Sequence, residues 1–322
     1  MRIQNDVSKC VVFVGCADDQ DEIRVVGTGF FVTYRNHGYL VTARHVASVT
    51  AAYAAKPLDR ASFMIRLNQS DGTAASIEIA DARWVVHPDE NVDLAAVSFE
   101  RDRLPPASDC RYLPQTALHA EEWQTAGCVG IGDICYTVDL RRVLHDTKHN
   151  LALVHTGSIA RLPDGATTPV RNWDDEQWLP PKRIAAYLVE FLGATGLSGS
   201  PVFVRPCLDV RELQSADRRL NATIARSDLL VLGVFQAPWD VPPSEVWAAS
   251  GGRGSTIPSG IGVVVPAARI VELLETPVFR ESRAGSAQRL DGAVAAPAAQ
   301  RPAPRAVDEE SLHANKLVHL KR

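Results

Sequence analysis

Short runs of apolar residues, separated by glycine, proline and acidic turn residues, recur along the first third of the chain. Runs of this length that are rich in β-branched and aromatic residues predict strands. The predicted strands are Val11–Cys16, Val25–Tyr34, Tyr39–Thr42, Phe63–Leu67, Ser76–Ile79, Trp84–His87 and Leu94–Phe99. A short helix is predicted over Val46–Ala55. Many short strands with frequent turns are typical of a sandwich or barrel rather than of alternating strand–helix units.

The pattern resumes in the second half of the chain. The strands predicted there are Thr125–Ile131, Leu151–Ile159, Ala185–Phe191, Pro201–Val204, Leu229–Gln236 and Ile261–Pro266. Two polar insertions, Leu162–Lys182 and Arg205–Ser227, interrupt them. A closing helix is predicted over Ala267–Leu274, directly after a proline.

These patterns divide the chain into three segments, residues 1–115, 116–281 and 282–322. Arg101–Gln115 contains three prolines and little periodicity, which predicts a linker between two halves. The halves, residues 1–115 and 116–281, each hold about six predicted strands. From Ser282 the composition shifts to Ala, Pro, Arg, Gln and Gly, which cannot bury enough apolar surface to offset the entropy of ordering, so residues 282–322 are predicted to be a disordered tail.

Composition and charge narrow the function classes. A 46% hydrophobic and 22% charged chain of 322 residues is typical of a soluble globular protein. The net charge of −4, without a basic block, argues against a nucleic-acid partner. No apolar run is long enough to cross a membrane, and the first residues lack the apolar core of a signal peptide, so a cytoplasmic location is expected. Six scattered cysteines are then expected to be reduced and buried.

One serine lies in a turn that precedes a predicted strand. Segment 193–203 reads Gly-Ala-Thr-Gly-Leu-Ser-Gly-Ser-Pro-Val-Phe, so Ser198 stands between Gly196 and Gly199. Glycines at this spacing allow a tight turn that directs the Ser198 hydroxyl and the N–H groups of Gly196 and Ser198 into one small space. Acyl transfer needs this combination of a nucleophile and donors for an oxyanion. An ordinary hairpin turn is the alternative that the segment alone leaves open.

Two residues of the first half complete a candidate constellation with this serine. A serine hydroxyl is a weak nucleophile and needs a base within hydrogen-bond reach. His45 comes just after the strand Tyr39–Thr42, where it can overhang a cleft. A histidine base in turn needs an acceptor that fixes its tautomer. Asp93, which directly precedes the apolar run Leu94–Phe99, is the candidate.

With these residues, the sequence resembles the trypsin-like serine proteases, in the bacterial form that lacks disulfides and an activation cleavage. The order His45, Asp93, Ser198 is the order of the catalytic residues in that class. The resembling motifs span about residues 10 to 275 and occur in the expected order. They are Gly27-Thr28-Gly29-Phe30-Phe31-Val32, Leu40-Val41-Thr42-Ala43-Arg44-His45-Val46, Asp93-Leu94-Ala95-Ala96-Val97, Gly196-Leu197-Ser198-Gly199-Ser200-Pro201-Val202, Leu232-Gly233-Val234 and Gly260-Ile261-Gly262-Val263-Val264-Val265-Pro266.

The resemblance implies an all-β fold of two six-stranded antiparallel barrels with the active site between them. His45 would be the general base and acid, Asp93 its orienting partner and Ser198 the nucleophile. The N–H groups of Gly196 and Ser198 would form the oxyanion hole. The base of the primary specificity pocket would lie near Leu192, an uncharged residue that favours a small or apolar substrate side chain. The pocket walls would be Phe235, Gln236 and Gly262.

The sequence departs from the digestive members of this class before the serine. Leu197 stands where an aspartate of the cleavage-activated members pairs with a new N-terminus, so activation by N-terminal cleavage is not expected. No metal or other cofactor is expected, and the predicted partner is a peptide or protein substrate. A regulatory protein partner is an open alternative for how the site is switched on.

The residues leave two other functions open. A catalytically silent barrel pair would serve as a binding or scaffolding module, because a fold does not guarantee its chemistry. The same three residues would also support an esterase-like acyl transfer.

Overall fold

A computed structural model describes residues 5–20, 22–54, 57–140, 149–163, 168–170, 182–191, 197–205, 229–239 and 259–294. The fold is mostly β. The strands are β1 Val11–Ala17, β2 Ile23–Tyr34, β3 His37–Thr42, β4 Ala61–Asn68, β5 Ala74–Ala82, β6 Val85–Val86, β7 Ala95–Ser98, β8 Ile134–Leu140, β9 Ala152–Arg161, β10 Thr168–Val170, β11 Lys182–Ile184, β12 Tyr187–Glu190, β13 Pro201–Val204, β14 Leu230–Pro238 and β15 Ile261–Pro266. The α-helices are α1 Arg44–Tyr53, α2 Ala120–Thr125, α3 Ala267–Leu274 and α4 Pro277–Val294.

The first half forms a curled antiparallel sheet of seven strands in the order β5-β4-β1-β2-β3-β7-β6. The expected six-stranded closed barrel is therefore not what the described residues show here. β6 has only two residues, and its recorded pairing is to β7 alone, so it offers β5 no strand of matching length. Both faces of the sheet are buried, with Val12 and Val14 under α1 and Val11 and Phe13 on the opposite face. This two-sided burial explains the uninterrupted apolar runs of β1 and β2.

The second half contains the closed six-stranded barrel that was expected, in the order β12-β15-β14-β13-β8-β9. One of its strands was predicted in the wrong place. The segment Thr125–Ile131 is not a strand, because α2 ends at Thr125 and a turn with Gly127 at φ +75° follows. The strand lies further on, at Ile134–Leu140, where the polar Thr137 and Asp139 interrupt the apolar pattern although both are fully buried.

The predicted linker Arg101–Gln115 packs against the first sheet. Leu113 exchanges main-chain hydrogen bonds with β2, donating to Phe31 at 2.9 Å and accepting from Thr33 at 2.7 Å. The Tyr112 ring stacks on Phe31 with centroids 4.8 Å apart. The prolines therefore shape an ordered connection. In the first predicted insertion, β10 pairs with β11, which begins at the last residue of the insertion. The remainder of both insertions lies largely outside the described residues.

The closing helix is confirmed as α3, Ala267–Leu274. Its residues Ile270, Leu273 and Leu274 are fully buried in one apolar cluster with Val92 and Leu94 of the first half. The next helix, α4, extends to Val294, so the start of the predicted disordered tail is helical. Its Ala, Arg, Gln and Leu residues are good helix formers even where little apolar surface is available. Residues 295–322 lie outside the described part. None of the described helices combines the length and apolar composition needed to cross a membrane.

The chain divides into two compact units, with the boundary within α4. Residues 1–280 form one unit, which contains the sheet and the barrel, and residues 281–322 form a second.

The five described cysteines are free thiols, and all are buried. Burial raises the pKa of both Cys10 and Cys135 to about 12. These thiols therefore act as small apolar core residues. Cys207 lies outside the described residues.

Glu275 ties the end of α3 to the β2–β3 hairpin. Its carboxylate accepts hydrogen bonds from the Tyr34 hydroxyl at 2.7 Å and from Arg280 at 3.0 Å, and it also pairs with Arg35. The Tyr34 hydrogen bond and the two guanidinium groups lower the pKa of Glu275 from 4.5 to about 2. The charged form is therefore stabilised in the folded chain.

This shift predicts a pH-dependent contribution to stability. The contribution is complete above pH 4.5 and is lost as the pH falls toward about 2, because the folded chain binds the proton less readily than the unfolded chain. We expect wild type to be more stable than Glu275→Gln above pH 4.5, and the difference to shrink between pH 4.5 and 2. Urea unfolding across this range measures it, and a constant difference would contradict the assignment.

Candidate active site

His45 lies in the first turn of α1, immediately after β3. The residue that precedes this helix, Ala43, provides no side-chain cap. The main-chain N–H of His45 would thus be one of the unsatisfied donors of a helix start. Instead it donates to Asp93 Oδ1 at 2.9 Å, while His45 Nδ1 lies 2.6 Å from Asp93 Oδ2. Both oxygens of one carboxylate therefore hold the same residue.

The contact at His45 Nδ1 defines the tautomer. A carboxylate acts as an acceptor, so the Nδ1 proton points at Asp93 and Nε2 of the neutral ring is left as an acceptor. The two side chains are only partly exposed, 23% for His45 and 13% for Asp93, which strengthens a charge-assisted hydrogen bond. The expected His–Asp pairing is present, and it is made through Nδ1.

Ser198 lies in a tight turn that enters β13. Ser200 N–H donates to the Leu197 carbonyl at 2.9 Å, and Gly199 between them has φ +86°. Gly199 N–H donates to the Phe235 carbonyl of β14, also at 2.9 Å. The turn is thus closed by its own hydrogen bond and fixed to the barrel directly after the serine. Leu197, at the position discussed for activation, is 1% exposed and packs in the barrel core.

The same turn is also held by the first half of the chain. Thr28 N–H of β2 donates to the Ser198 carbonyl at 3.0 Å. The Thr42 hydroxyl at the end of β3 donates to the Thr28 carbonyl at 2.7 Å. A Cβ on Gly199 would lie 2.4 Å from Thr42 Oγ1 and 3.2 Å from Ala43 N. The serine turn therefore touches the strand end from which His45 follows.

The Ser198 hydroxyl itself donates to the main-chain carbonyl of Gln236 at 3.1 Å. Gln236 follows directly after Phe235 on β14, and its own amide Oε1 is buried with no hydrogen-bond partner among the described residues. In this arrangement the serine proton is directed at a carbonyl. Transfer of that proton to an imidazole requires the hydroxyl to turn away from this carbonyl.

Gly199 is the position where a substitution should disturb this site most through the backbone. Alanine there would meet the Thr28 carbonyl oxygen at 2.0 Å and would be strained at φ +86°. We expect Gly199→Ala to lower the free energy of unfolding by at least about 3 kcal/mol, from backbone strain and overpacking together.

Gly132→Ala is the matched control, since Gly132 has φ +89° but nothing within 4 Å of the added Cβ. It should cost only the backbone term, about 1 kcal/mol. Urea unfolding of both variants measures the difference, and equal losses would show that crowding at Gly199 is unimportant.

The specificity residues suggested by the sequence are only partly described. Leu192 lies outside the described residues, as does Gly196, the other predicted oxyanion-hole residue. Phe235 is 1% exposed and belongs to the barrel core. Its ring lies against Gly262, where a Cβ would meet Phe235 Cε2 at 2.4 Å. Phe235 therefore limits space beside Gly262 from within the barrel, whereas Gln236 reaches Ser198 through its main chain.

Two positioning residues were overlooked at the level of sequence. Thr28 and Thr42 both occur in the motifs quoted above, but nothing in their spacing indicates that one holds the Ser198 carbonyl and the other holds Thr28. The sequence feature that could have indicated the contact between β2 and the serine turn is Gly27. A Cβ there would meet Val46 Cγ2 at 2.7 Å and the Ser198 carbonyl at 3.0 Å, so the glycine permits the serine turn to approach β2.

The mostly β architecture, with one closed barrel and one curled sheet, fits a chymotrypsin-like fold. No protein-family model and no curated protein matches the chain. Among solved structures, a similar chain is that of Rv3671c from M. tuberculosis H37Rv, in the inactive form of a serine-to-alanine mutant. The two are 14% identical, the match covers 83% of this chain and 85% of that one, and the TM-score is 0.37. A likeness this low carries no argument about function, so the site geometry has to supply it.

Proposed function

We propose that this chain is a serine endopeptidase that cleaves peptide bonds through Ser198, His45 and Asp93 and an acyl-enzyme intermediate. The observation that carries the proposal is the two-point contact of Asp93 with His45, which sets the tautomer that a general base needs. The serine turn supports it, because Gly199 lies against Thr42 and Ala43, next to His45.

The reaction would begin when the Ser198 hydroxyl turns from the Gln236 carbonyl to His45 Nε2. Ser198 Oγ then attacks the substrate carbonyl carbon as Nε2 takes the proton, and Asp93 stabilises the imidazolium. The N–H groups of Ser198 and Gly196 are the proposed donors to the oxyanion. Collapse breaks the C–N bond, and the amine leaves with the proton from His45. Water, activated by the same imidazole, hydrolyses the acyl-enzyme.

The substrate class follows from the barrel residues beside the serine. The Phe235 ring occupies the space next to Gly262, and the three atoms nearest to a Cβ built there are all carbons of this ring. We expect cleavage after small apolar residues. A peptide library digested by wild type and by Gly262→Ala measures this preference. Preferred cleavage after lysine or arginine would contradict the proposed pocket.

A second candidate is a catalytically silent module that binds a partner. One observation favours it, the hydrogen bond that commits the Ser198 hydroxyl to Gln236 rather than to a base. An esterase-like activity would use the same three residues and differ only in the leaving group.

Labelling with a fluorophosphonate probe separates the two candidates. Such probes phosphonylate a serine only when a neighbouring base activates it. We expect wild type to be labelled at Ser198 and His45→Gln to be unlabelled. Failure of the wild-type chain to label, together with no cleavage of peptide or ester substrates, would favour the binding module.

A further inference from the structure

The loop that carries Asp93 is built around a buried histidine. His87 is 3% exposed and begins the connection from β6 to β7. Its main-chain N–H donates to the Leu94 carbonyl at 3.0 Å, which closes the loop across Asp93. Inside the loop, Asp89 N–H donates to His87 Nδ1 at 3.1 Å. The residues that flank Asp93, Val92 and Leu94, are buried against α3.

These contacts define the protonation of the His87 ring. Since a main-chain N–H donates to Nδ1, the ring proton is on Nε2. Nε2 lies 3.2 Å from Glu272 Oε2 on α3 and donates to it. Arg269 donates to the same oxygen at 2.7 Å and fixes its position. The neutral imidazole thus satisfies a donor of its own loop with one nitrogen and an acceptor of the closing helix with the other.

We propose that His87 is a positioning residue for the reaction. Its imidazole holds Asp89 inside loop 87–94, which the His87 main chain closes, and ties the loop to α3, and thereby fixes the Asp93 carboxylate against His45. The inference rests on the proposed function for its catalytic consequence. Asp93 has to satisfy two donors of His45 at 2.6 and 2.9 Å, a geometry that tolerates little movement of the loop. A misplacement of about 1 Å in a catalytic group can cost about a hundredfold in rate.

Two substitutions separate the two hydrogen bonds of the ring. In His87→Asn the carboxamide oxygen can take the place of Nδ1 and keep the Asp89 contact, whereas the tie to Glu272 is lost. In His87→Gln the longer amide can reach Glu272, whereas the acceptor for Asp89 is lost. We expect the rate of fluorophosphonate labelling to fall about 10- to 100-fold in His87→Gln but only about threefold in His87→Asn.

A matching pair at Glu272 tests the tie at a half-exposed site where folding is not at risk. Its side chain is 49% exposed. Glu272→Ala should slow labelling about threefold, and Glu272→Gln, which retains an acceptor for Nε2, should restore it. His37→Gln is the control for loss of a histidine–carboxylate contact elsewhere, because His37 pairs with Glu100 at the opposite end of β3. It should label at the wild-type rate.

A readout that does not require activity distinguishes this inference from the proposed function. The proton in the short His45 Nδ1–Asp93 contact should give a low-field proton resonance. Loss of that resonance in folded His87→Gln, with retention in His87→Asn, would support the inference even if wild type labels no probe. An unchanged resonance and labelling rate in His87→Gln and Glu272→Ala would overturn it. Equal effects of His87→Asn and His87→Gln would also overturn it.

Discussion

Replacing Ser198 with alanine is expected to lower peptidase turnover about a million-fold, with the fold intact. The three proposed catalytic groups would act as a unit, so loss of the nucleophile would remove nearly the whole chemical advantage and leave only binding and oxyanion stabilisation. The side chain makes one described hydrogen bond, to the Gln236 carbonyl, so truncation should barely change stability. Turnover of a fluorogenic peptide and urea unfolding measure the two effects.

Ser200→Ala is the matched control for this substitution. Ser200 lies two residues further along, is fully buried, and its hydroxyl has no hydrogen-bond partner in the described residues. It should keep wild-type turnover. The double variant Ser198→Ala/His45→Gln should be no slower than Ser198→Ala, because each single change already disables the unit. Full activity in Ser198→Ala, or equal losses in Ser198→Ala and Ser200→Ala, would exclude Ser198 as the nucleophile.

Asp93→Asn is expected to reduce turnover about ten-thousandfold by reversing the His45 tautomer. The carboxylate accepts from both the main-chain N–H and Nδ1–H of His45. A carboxamide has only one oxygen. If that oxygen keeps the main-chain donor, its NH₂ group faces Nδ1, the ring proton moves to Nε2, and His45 can no longer accept the serine proton.

The tautomer explanation makes a further distinction that a general loss of stability would not. In Asp93→Asn the ring proton of His45 should be found on Nε2 while the chain remains folded. Glu100→Gln, which changes the carboxylate beside His37, provides the control and should retain activity. Nitrogen NMR of the two imidazole nitrogens reports the tautomer directly. An unchanged His45 tautomer in Asp93→Asn would contradict the explanation.

Local sequence signals were sufficient for much of the fold. The apolar runs of β1, β3 and β13 are bounded by clear turn residues, and the proline before α3 marks its start. The turn at 126–132 was wrongly predicted as part of a strand because Cys128, Val129 and Ile131 give it an apolar composition like that of a strand. Strand β8 was not predicted because Asp139 interrupts its apolar pattern. Asp139 is fully buried, with Oδ1 3.0 Å from His155 Nε2, a placement that only the closed barrel explains.

The candidate site shows the same division between local and distant information. Residue type and order predict His45, Asp93 and Ser198 as partners. They do not reveal that Asp93 also satisfies the start of α1, or that Thr28 holds the serine turn, because these contacts join segments far apart in the chain. His87 carries no motif, and its relation to Asp93 depends on where α3 docks.

The docking of α3 on the first half also sets when the site can form during synthesis. His45 and Asp93 leave the ribosome well before Ser198, and the helix that buries Val92 and Leu94 is translated later still. The candidate site can therefore be completed only after almost the entire barrel has been translated.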